Sequence, residues 1–329
     1  MSQEESLRLG QVPAIEGTGQ AEVGSPAWSA TPSFRARVAW DRWCAVFFRG
    51  TLGLVHLLAL GLLLGLLWKS FPLLGQLSFG ELFFSTAWHP LKGQYGFLAF
   101  IVGTLGVTLI AMGIAAPLSL LAAIYLSEYA GKRTRSVAIP FIQLLAGIPS
   151  VLFGLWGMLA LVPGVRLLGT ALGFRTTGYC LLSGGLVLSL MVCPIVISVA
   201  WEILQRVPMA AREAALSLGL TRWETTRHVL LKLARRGLVV SLVLGCSRAL
   251  GETMAVLMVV GNVARLPESL FSPVYPLPSL IANNYGEVMS IPRFDSALML
   301  AALILMCVVT AFNLGARALL QQLERGWRS

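Results

Sequence analysis

Two charged side chains of opposite sign lie four residues apart in an otherwise apolar stretch, residues 238–262. They are Arg248 and Glu252, and most of their neighbours are small or aliphatic. On a continuous helix this spacing brings both side chains to one face. Charges at membrane depth are costly and usually face a bundle interior or an aqueous path. The pair therefore predicts one of two arrangements. Either the guanidinium binds an anion in a path while the carboxylate competes with it, or a permanent ion pair joins two helices.

Three further residues are weaker candidates for the same path. Thr253 directly follows Glu252, and Pro149 and Ser150 lie together in the apolar stretch 137–162. A proline inside a membrane helix frees backbone groups and bends the helix, which serves either to line a path or to shape a bundle. Bundle shaping is the interpretation that needs fewer assumptions.

A second segment with functional chemistry is the charged loop 201–237. Pro208 predicts the start of a helix and Gly219 its end. Thr221, followed three residues later by Glu224, predicts a capping box that begins a second helix. The loop is therefore expected to contain two short helices joined by a tight turn.

The predicted hairpin offers a surface for binding. Ala214 and Ala215 keep one face of its first helix shallow, so that a groove in a partner could close around it, while Arg212 and Glu213 give it a polar edge. The basic residues of the loop would also favour an amphipathic hairpin lying on anionic lipid. Periodicity does not separate these two alternatives.

The elements that must position these residues are membrane helices. Of 329 residues 56% are hydrophobic and only 12% are charged, and the apolar residues form long uninterrupted runs without the alternation of a β-barrel strand. Each run is long enough to cross about 30 Å of hydrocarbon as a helix. The expected class is an all-α polytopic membrane protein with six spans, at residues 50–68, 97–126, 137–162, 179–200, 238–262 and 296–316.

The distribution of basic residues predicts the orientation. Lys and Arg accumulate before the first span, after the second, between the fourth and fifth, and after the sixth. By the positive-inside rule both termini and the loop 201–237 are cytoplasmic, and the loop 263–295 lies on the outer side. The net charge of +10 is then mostly a topology signal and does not indicate nucleic-acid binding.

The chain is expected to divide into three parts. Residues 1–46 are rich in Ser, Gly, Pro, Gln and Glu and predict a disordered cytoplasmic tail. Residues 47–320 form the six-helix membrane domain, and residues 321–329 form a cytoplasmic C-terminal tail. The first apolar stretch is long enough to remain in the membrane, so the first span is predicted to be an uncleaved anchor.

The usual residues of catalysis and metal binding are scattered. The three histidines lie in separate segments, and the five cysteines show no CxxC spacing. Gly131 and Lys132 resemble the end of a phosphate-binding loop, but Arg133 stands in place of Ser or Thr and Leu126 in place of the first Gly. We therefore expect no enzyme activity, metal or cofactor in this chain. If transport uses ATP, a separate subunit must hydrolyse it.

A resemblance distinguishes between the alternatives for the loop. Glu213, Ala214 and Ala215 are followed after three residues by Gly219, and after nine more by Val229 and Leu231. This pattern resembles the coupling-loop signature, or EAA loop, of ABC importer permeases. The signature commonly ends in Leu-Pro, whereas here Lys232 follows Leu231, so the break after the second coupling helix is in question.

Three other segments resemble one branch of this family. Residues 247–256, with Gly261 and Asn262, resemble the fifth span of PstC-type permeases of phosphate-specific ABC importers. Residues 148–157 resemble the third span, and Tyr95 and Gly96 with residues 103–105 resemble the start of the second. The resemblance covers residues 49–320. PstA-type sister permeases share the Arg and Glu but usually depart from the continuation Met-Ala-Val at 254–256.

The resemblance implies the fold of type I ABC importer permeases and the import of inorganic phosphate across the bacterial plasma membrane. It implies a PstA-type sister permease, two PstB-type ATPase subunits that bind ATP and Mg, and a PstS-type phosphate-binding protein outside. Glu213, Ala214, Ala215 and Gly219 would then couple the chain to the ATPase. The alternatives are a permease of the same fold for another small anion, a PstA-type subunit, a secondary transporter, or a non-transporting membrane scaffold.

Overall fold

The computed structural model describes residues 32–285 and 293–325, and most of these residues are helical. The chain divides into two units after Leu62. The described part of the first unit is the N-terminal portion of helix α1. The α-helices are α1 Pro32–Leu74, α2 Phe79–Phe84, α3 Leu98–Ile124, α4 Lys132–Ala146, α5 Ser150–Trp156, α6 Val162–Ala171, α7 Leu181–Gln205, α8 Met209–Ser217, α9 Arg222–Glu224, α10 Leu231–Leu250, α11 Met254–Leu257, α12 Leu277–Asn284 and α13 Phe294–Arg325.

Shorter elements complete the backbone. Three π-helical segments, Tyr125–Tyr129, Gly157–Leu161 and Thr225–Leu230, continue α3, join α5 to α6, and join α9 to α10. Strands β1 Trp88–His89 and β2 Gln94–Tyr95 pair antiparallel, with Trp88 opposite Tyr95, around the 3-10 turn Pro90–Lys92. Apart from this hairpin and one isolated bridge, the described residues contain no strand, so the expected all-α class is confirmed.

Five helices in the described residues are long and apolar enough to span a membrane: Ala36–Leu74, Leu98–Tyr129, Ser150–Ala171, Leu181–Gln205 and Phe294–Gln322. Four of them correspond to the spans predicted first, second, fourth and sixth, and each includes all but at most two residues of its predicted span. The predicted third and fifth spans require correction.

The predicted third span, residues 137–162, is interrupted. Helix α4 ends at Ala146, the chain turns through Gly147 and Ile148, and a new helix begins at Ser150 after Pro149. Proline disfavours the helical conformation of the residue before it and donates no backbone hydrogen bond, so it suits the start of a helix better than its middle. The apolar helix is consequently shifted along the chain and runs to Ala171.

The predicted fifth span, residues 238–262, is also interrupted. Helix α10 begins earlier, at Leu231, and ends at Leu250; four-residue α11 follows after Gly251 to Thr253. Lys232, Arg235, Arg236 and Arg248 all lie within α10, so this helix carries more charge than is typical of an apolar membrane span. The apolar run from Met254 hides this helix end, because hydropathy follows composition and not backbone hydrogen bonding.

The predicted boundaries of the tails and the outer loop change as well. Residues 32–46, assigned to a disordered tail, belong to α1, and residues 321–325, assigned to the C-terminal tail, belong to α13. The loop 263–295 contains the short helix α12. Residues 1–31, 286–292 and 326–329 lie outside the described part of the chain.

Helix α7 is central in the second unit and packs against α3, α4 and α10. Its buried residues Val187 and Val192 belong to one core with Val107 and Ala111 of α3 and with Val260. A separate cluster of Ala123, Leu204, Leu230 and Leu238 joins α3, α7 and α10 near the loop 206–230. We call this end of the second unit the hairpin end. At the hairpin end three long helices therefore converge on the segment predicted to contact a partner.

Candidate functional site

The loop at the hairpin end forms a helix followed by a tight turn. Helix α8 begins directly after Pro208 and ends at Ser217. Gly219 has a φ of +82°. Its N–H donates to the carbonyl of Leu216 at 3.0 Å, and the N–H of Leu220 donates to the carbonyl of Ala215 at 3.3 Å. This is a Schellman motif, in which the left-handed residue after the helix is usually glycine. The predicted start and end of the first helix are confirmed within one residue.

The second half of the loop begins with the predicted capping box. The backbone N–H of Glu224 donates to the Thr221 hydroxyl at 3.3 Å, and the backbone N–H of Thr221 donates to Glu224 Oε2 at 2.8 Å. The hydrogen bond from the backbone N–H of Thr221 lowers the pKa of Glu224, and the bond from the Thr221 hydroxyl lowers it further. The turn between the two helical segments is thus specified by contacts within a few residues.

The prediction of a second short helix is wrong. From Arg222 the chain is helical through α9, the π segment Thr225–Leu230 and α10 to Leu250. Lys232 stands where the coupling-loop signature commonly has proline, and unlike proline it has a backbone N–H and no ring to clash with the preceding turn. The second helical segment of the hairpin is therefore continuous with a long helix of the bundle.

Three of the four predicted coupling residues lie on an open surface, and the fourth does not. Glu213, Ala214 and Gly219 are exposed, and Ala215 is buried. A Cβ atom at Gly219 would have no neighbour within 4 Å, so backbone conformation alone accounts for the glycine in this chain. Exposed apolar side chains surround these residues: Leu218 is 84% exposed, and Met209, Leu216 and Trp223 are also exposed. An exposed apolar patch beside charged side chains is typical of a protein interaction site.

Arg212 is a residue that sequence reasoning misplaced. It was predicted on the polar edge of the hairpin, but its side chain is only 16% exposed. Arg212 Nη2 lies 3.0 Å from Glu128 Oε1 and donates to the carbonyl of Leu204 at 2.9 Å, while Nη1 donates to the carbonyl of Val207 at 2.9 Å. Glu128 is 84 residues away in sequence. No local spacing links the two residues, so no pattern in the sequence could have paired them.

The ion pair between Arg248 and Glu252, one of the two arrangements considered from the sequence, is absent from the described structure. The ion pairs found in the described residues are Lys69–Asp295 and Arg212–Glu128. Because α10 ends at Leu250, Glu252 does not follow Arg248 on a continuous helical face. Glu252 Oε1 instead accepts a hydrogen bond from the N–H of Ala255 at 3.3 Å, at the start of α11. Arg248 is exposed in the last turn of α10.

The structure places α5 beside α11. A Cβ atom at Gly154 would lie 3.0 Å from Ala255 Cα, and one at Gly157 would lie 3.2 Å from Val259 Cγ1. Gly157 and Val259 lie just beyond the ends of these two helices, so the close approach continues past α5 and α11. The small residues Gly154 and Gly157 allow this close approach.

Four of the predicted path residues lie at the starts of these two neighbouring helices. Pro149 and Ser150 begin α5, and Glu252 and Thr253 directly precede α11. Both helices start after an interruption of the helical backbone. The N–H groups in the first turn of a helix have no partners within the helix and carry a partial positive charge. Arg248 lies four residues before Glu252, in the last turn of α10. The two breaks that contradict the predicted continuous spans therefore place polar side chains and helix starts within apolar stretches of the chain.

In residues 32–285 and 293–325, no three His, Cys, Asp or Glu side chains are placed to hold a metal ion. The five cysteines are free thiols.

Long apolar helices, two interrupted spans and a helical hairpin with exposed apolar residues are typical of a membrane transport subunit. The chain belongs to the family of binding-protein-dependent transport system inner membrane components, whose profile matches residues 115–329. The family identifies the class as the permease component of ABC importers, as the resemblance predicted.

The chain is also similar to individual proteins that are named for the substrate they transport. The chain is 38% identical over 277 residues to the "Phosphate transport system permease protein PstC" of Xylella fastidiosa (strain 9a5c), covering 80% of this chain and 85% of the relative. It is 35% identical over 311 residues to the protein of the same name from Haemophilus influenzae, covering 86% and 95%.

A solved structure supports the fold. An inward-facing conformation of the MetNI methionine ABC transporter matches with a TM-score of 0.53 and 17% identity, covering 67% of this chain and 93% of that one. At this identity the match concerns the fold alone.

Proposed function

We propose that this chain is a permease subunit of an ATP-driven importer and forms part of the translocation path for inorganic phosphate. The observation that carries the proposal is the similarity to proteins named phosphate transport system permease PstC, which extends over 80% of the chain. The class of protein follows from the family. The substrate is inferred from the relatives.

The hairpin supports the coupling part of the proposal. Helix α8 presents Glu213 and Ala214 to solvent, beside the exposed Leu218. A groove in a cytoplasmic ATPase would cover these apolar side chains and hold the helix by its shallow face. ATP and Mg would be bound by two PstB-type subunits, and this chain would need no cofactor of its own. A PstA-type sister permease and a PstS-type binding protein would complete the importer.

The interruptions before Ser150 and after Leu250 support a translocation path for phosphate at these helix ends. Arg248 is exposed and makes no ion pair in the described structure, so its guanidinium is available for a planar, bidentate contact with phosphate. Ser150 and Thr253 would supply further hydroxyl donors, with Pro149 keeping the break open. Glu252 would repel the anion and limit how tightly the site holds it.

The alternatives differ in what they transport or how. A permease of the same fold for another small anion, or a PstA-type subunit, would also couple to ATP. A secondary transporter would depend on an ion gradient, and a scaffold would carry no flux. The coupling hairpin favours an ATP-driven subunit over both.

Reconstitution tests the proposal. The chain, its sister permease, the ATPase and the binding protein are placed together in liposomes, and entry of labelled phosphate is measured with and without ATP. Uptake that needs ATP and survives a protonophore supports the proposal. Uptake that a protonophore abolishes indicates a secondary transporter. Competition by excess sulfate equal to competition by phosphate indicates another anion as substrate.

The proposed orientation gives a topology prediction. We place both termini and the hairpin in the cytoplasm and the segment around α12 outside. Leu270 is 51% exposed and is therefore a suitable position for a thiol label. The nearby Ser272 is less suitable, because it is half-buried and its hydroxyl lies 3.1 Å from that of Ser269. In a chain whose five native cysteines are replaced, Leu270→Cys should react with a membrane-impermeant thiol reagent added to intact cells. The matched variant Tyr129→Cys should react only after the membrane is opened. The reverse pattern would contradict the orientation.

A further inference from the structure

The contacts of Arg212 tie helix α8 to two helices of the bundle. Its guanidinium donates to the carbonyl of Leu204, in the last turn of α7, and to that of Val207, in the link after α7. It also contacts Glu128 in the π segment that continues α3. Carbonyls at the end of a helix lack partners within the helix, so a guanidinium is well suited to them. One side chain of α8 thus holds both α7 and α3.

Glu128 is itself held in place. Its Oε1 accepts from the Ser127 hydroxyl at 2.6 Å, and that hydroxyl accepts from Gln205 Nε2 at 3.1 Å. Arg135 donates to the carbonyls of Ser127 and Leu126 at 2.6 and 2.9 Å. The carboxylate is therefore part of a connected network that spans α3, α4 and α7, and is only 13% exposed. Buried charges paired in this way are strongly held, because breaking the pair leaves one charge without a partner.

A short link joins α8 to α7. Only Arg206, Val207 and Pro208 separate the end of α7 from the start of α8. A three-residue link allows α8 to rotate about it, unless side chains prevent the rotation. On its other side, α8 continues through the Gly219 turn into the helical stretch that becomes α10.

We infer that Arg212 and Glu128 form a joint that makes α8 and the hairpin ends of α3 and α7 move as one body. The inference rests on the proposed function, because an ATPase must displace α8 for the joint to matter. Displacement of α8 then reaches α3 and α7 directly through the joint. Arg212 is in this view a positioning residue: it touches neither substrate nor ATP, and it acts by holding α8.

The test compares Arg212→Gln with Arg206→Gln. Arg206 is an exposed arginine of the preceding link that forms no ion pair with Glu128 in the described structure. Both variants are assembled with the sister permease, the ATPase and the binding protein in liposomes. Phosphate uptake per ATP hydrolysed should fall roughly tenfold in Arg212→Gln, the range seen when a coupling network is broken. It should be unchanged in Arg206→Gln. Arg212→Lys retains the charge toward Glu128 but not both carbonyl contacts. Its phosphate uptake per ATP hydrolysed should be intermediate between those of the two glutamine variants.

A distance measurement tests the joint without relying on transport. Spin labels are attached through Tyr129→Cys, beside Glu128, and Ser217→Cys, on α8, in a chain without other cysteines. The distance between the labels should be the same with and without ATP, and should broaden when Arg212→Gln is added. An ATP-dependent change of this distance with Arg212 intact, or an undiminished uptake per ATP in Arg212→Gln, would overturn the inference. Failure of the unmodified complex to import phosphate would instead contradict the proposed function, and the distance result would remain interpretable.

Discussion

Gly219→Val is expected to abolish ATP-driven phosphate uptake while the chain remains in the membrane. Gly219 has a φ of +82°. A β-branched residue is strongly disfavoured there, and even an unbranched residue costs about 1–2 kcal/mol in the left-handed region. The valine would open the Schellman turn or move α8, and in the assembled importer its side chain would also enter the interface with the ATPase. Uptake, ATP hydrolysis and co-purification with the ATPase measure the effect.

Gly219→Asn separates the two causes. Asparagine tolerates the left-handed conformation, and no atom of this chain lies within 4 Å of the new Cβ. If the turn alone matters, Gly219→Asn should transport nearly as well as the parent. If the ATPase covers this residue closely, Gly219→Asn should assemble poorly as well. Normal association and uptake in Gly219→Val would exclude the docking role of the turn.

Arg248→Gln is expected to give the second large effect. Hydrogen bonds to charged groups contribute about 1.5–3 kcal/mol, so loss of the guanidinium should reduce uptake by about 10- to 100-fold. Because Arg248 is exposed and forms no ion pair with Glu252 in the described structure, its removal leaves no buried charge without a partner. The variant should therefore assemble normally. Had the predicted ion pair existed, the same substitution would also have destabilised the bundle.

Two further variants sharpen this result. Arg248→Lys retains the charge but not the planar donor pair, and should transport at an intermediate rate if phosphate is bound in bidentate fashion. Arg248→Glu combined with Glu252→Arg should remain impaired, because the cation would move past the end of α10. Near-normal uptake in Arg248→Gln, or recovery in the exchanged pair, would show that Arg248 does not contact the substrate.

Much of the architecture could be predicted from the sequence because it depends on local properties. Long apolar runs identify four of the spans by composition. The beginning and end of α8 follow from Pro208 and Gly219, and the capping box from Thr221 and Glu224. In each case the residues that determine the structure lie within a few positions of one another, so their spacing can be recognised without knowing the fold.

The rest was decided only by tertiary structure. Apolar composition does not show where a helix stops, so the breaks before Ser150 and after Leu250 were hidden within the apolar runs. Whether Glu252 pairs with Arg248 or caps α11 depends on that helix end. The contact of Arg212 with Glu128 joins residues 84 positions apart. Such contacts leave no mark in local spacing, because they arise only when the packing of α3 against α7 brings distant parts of the chain together.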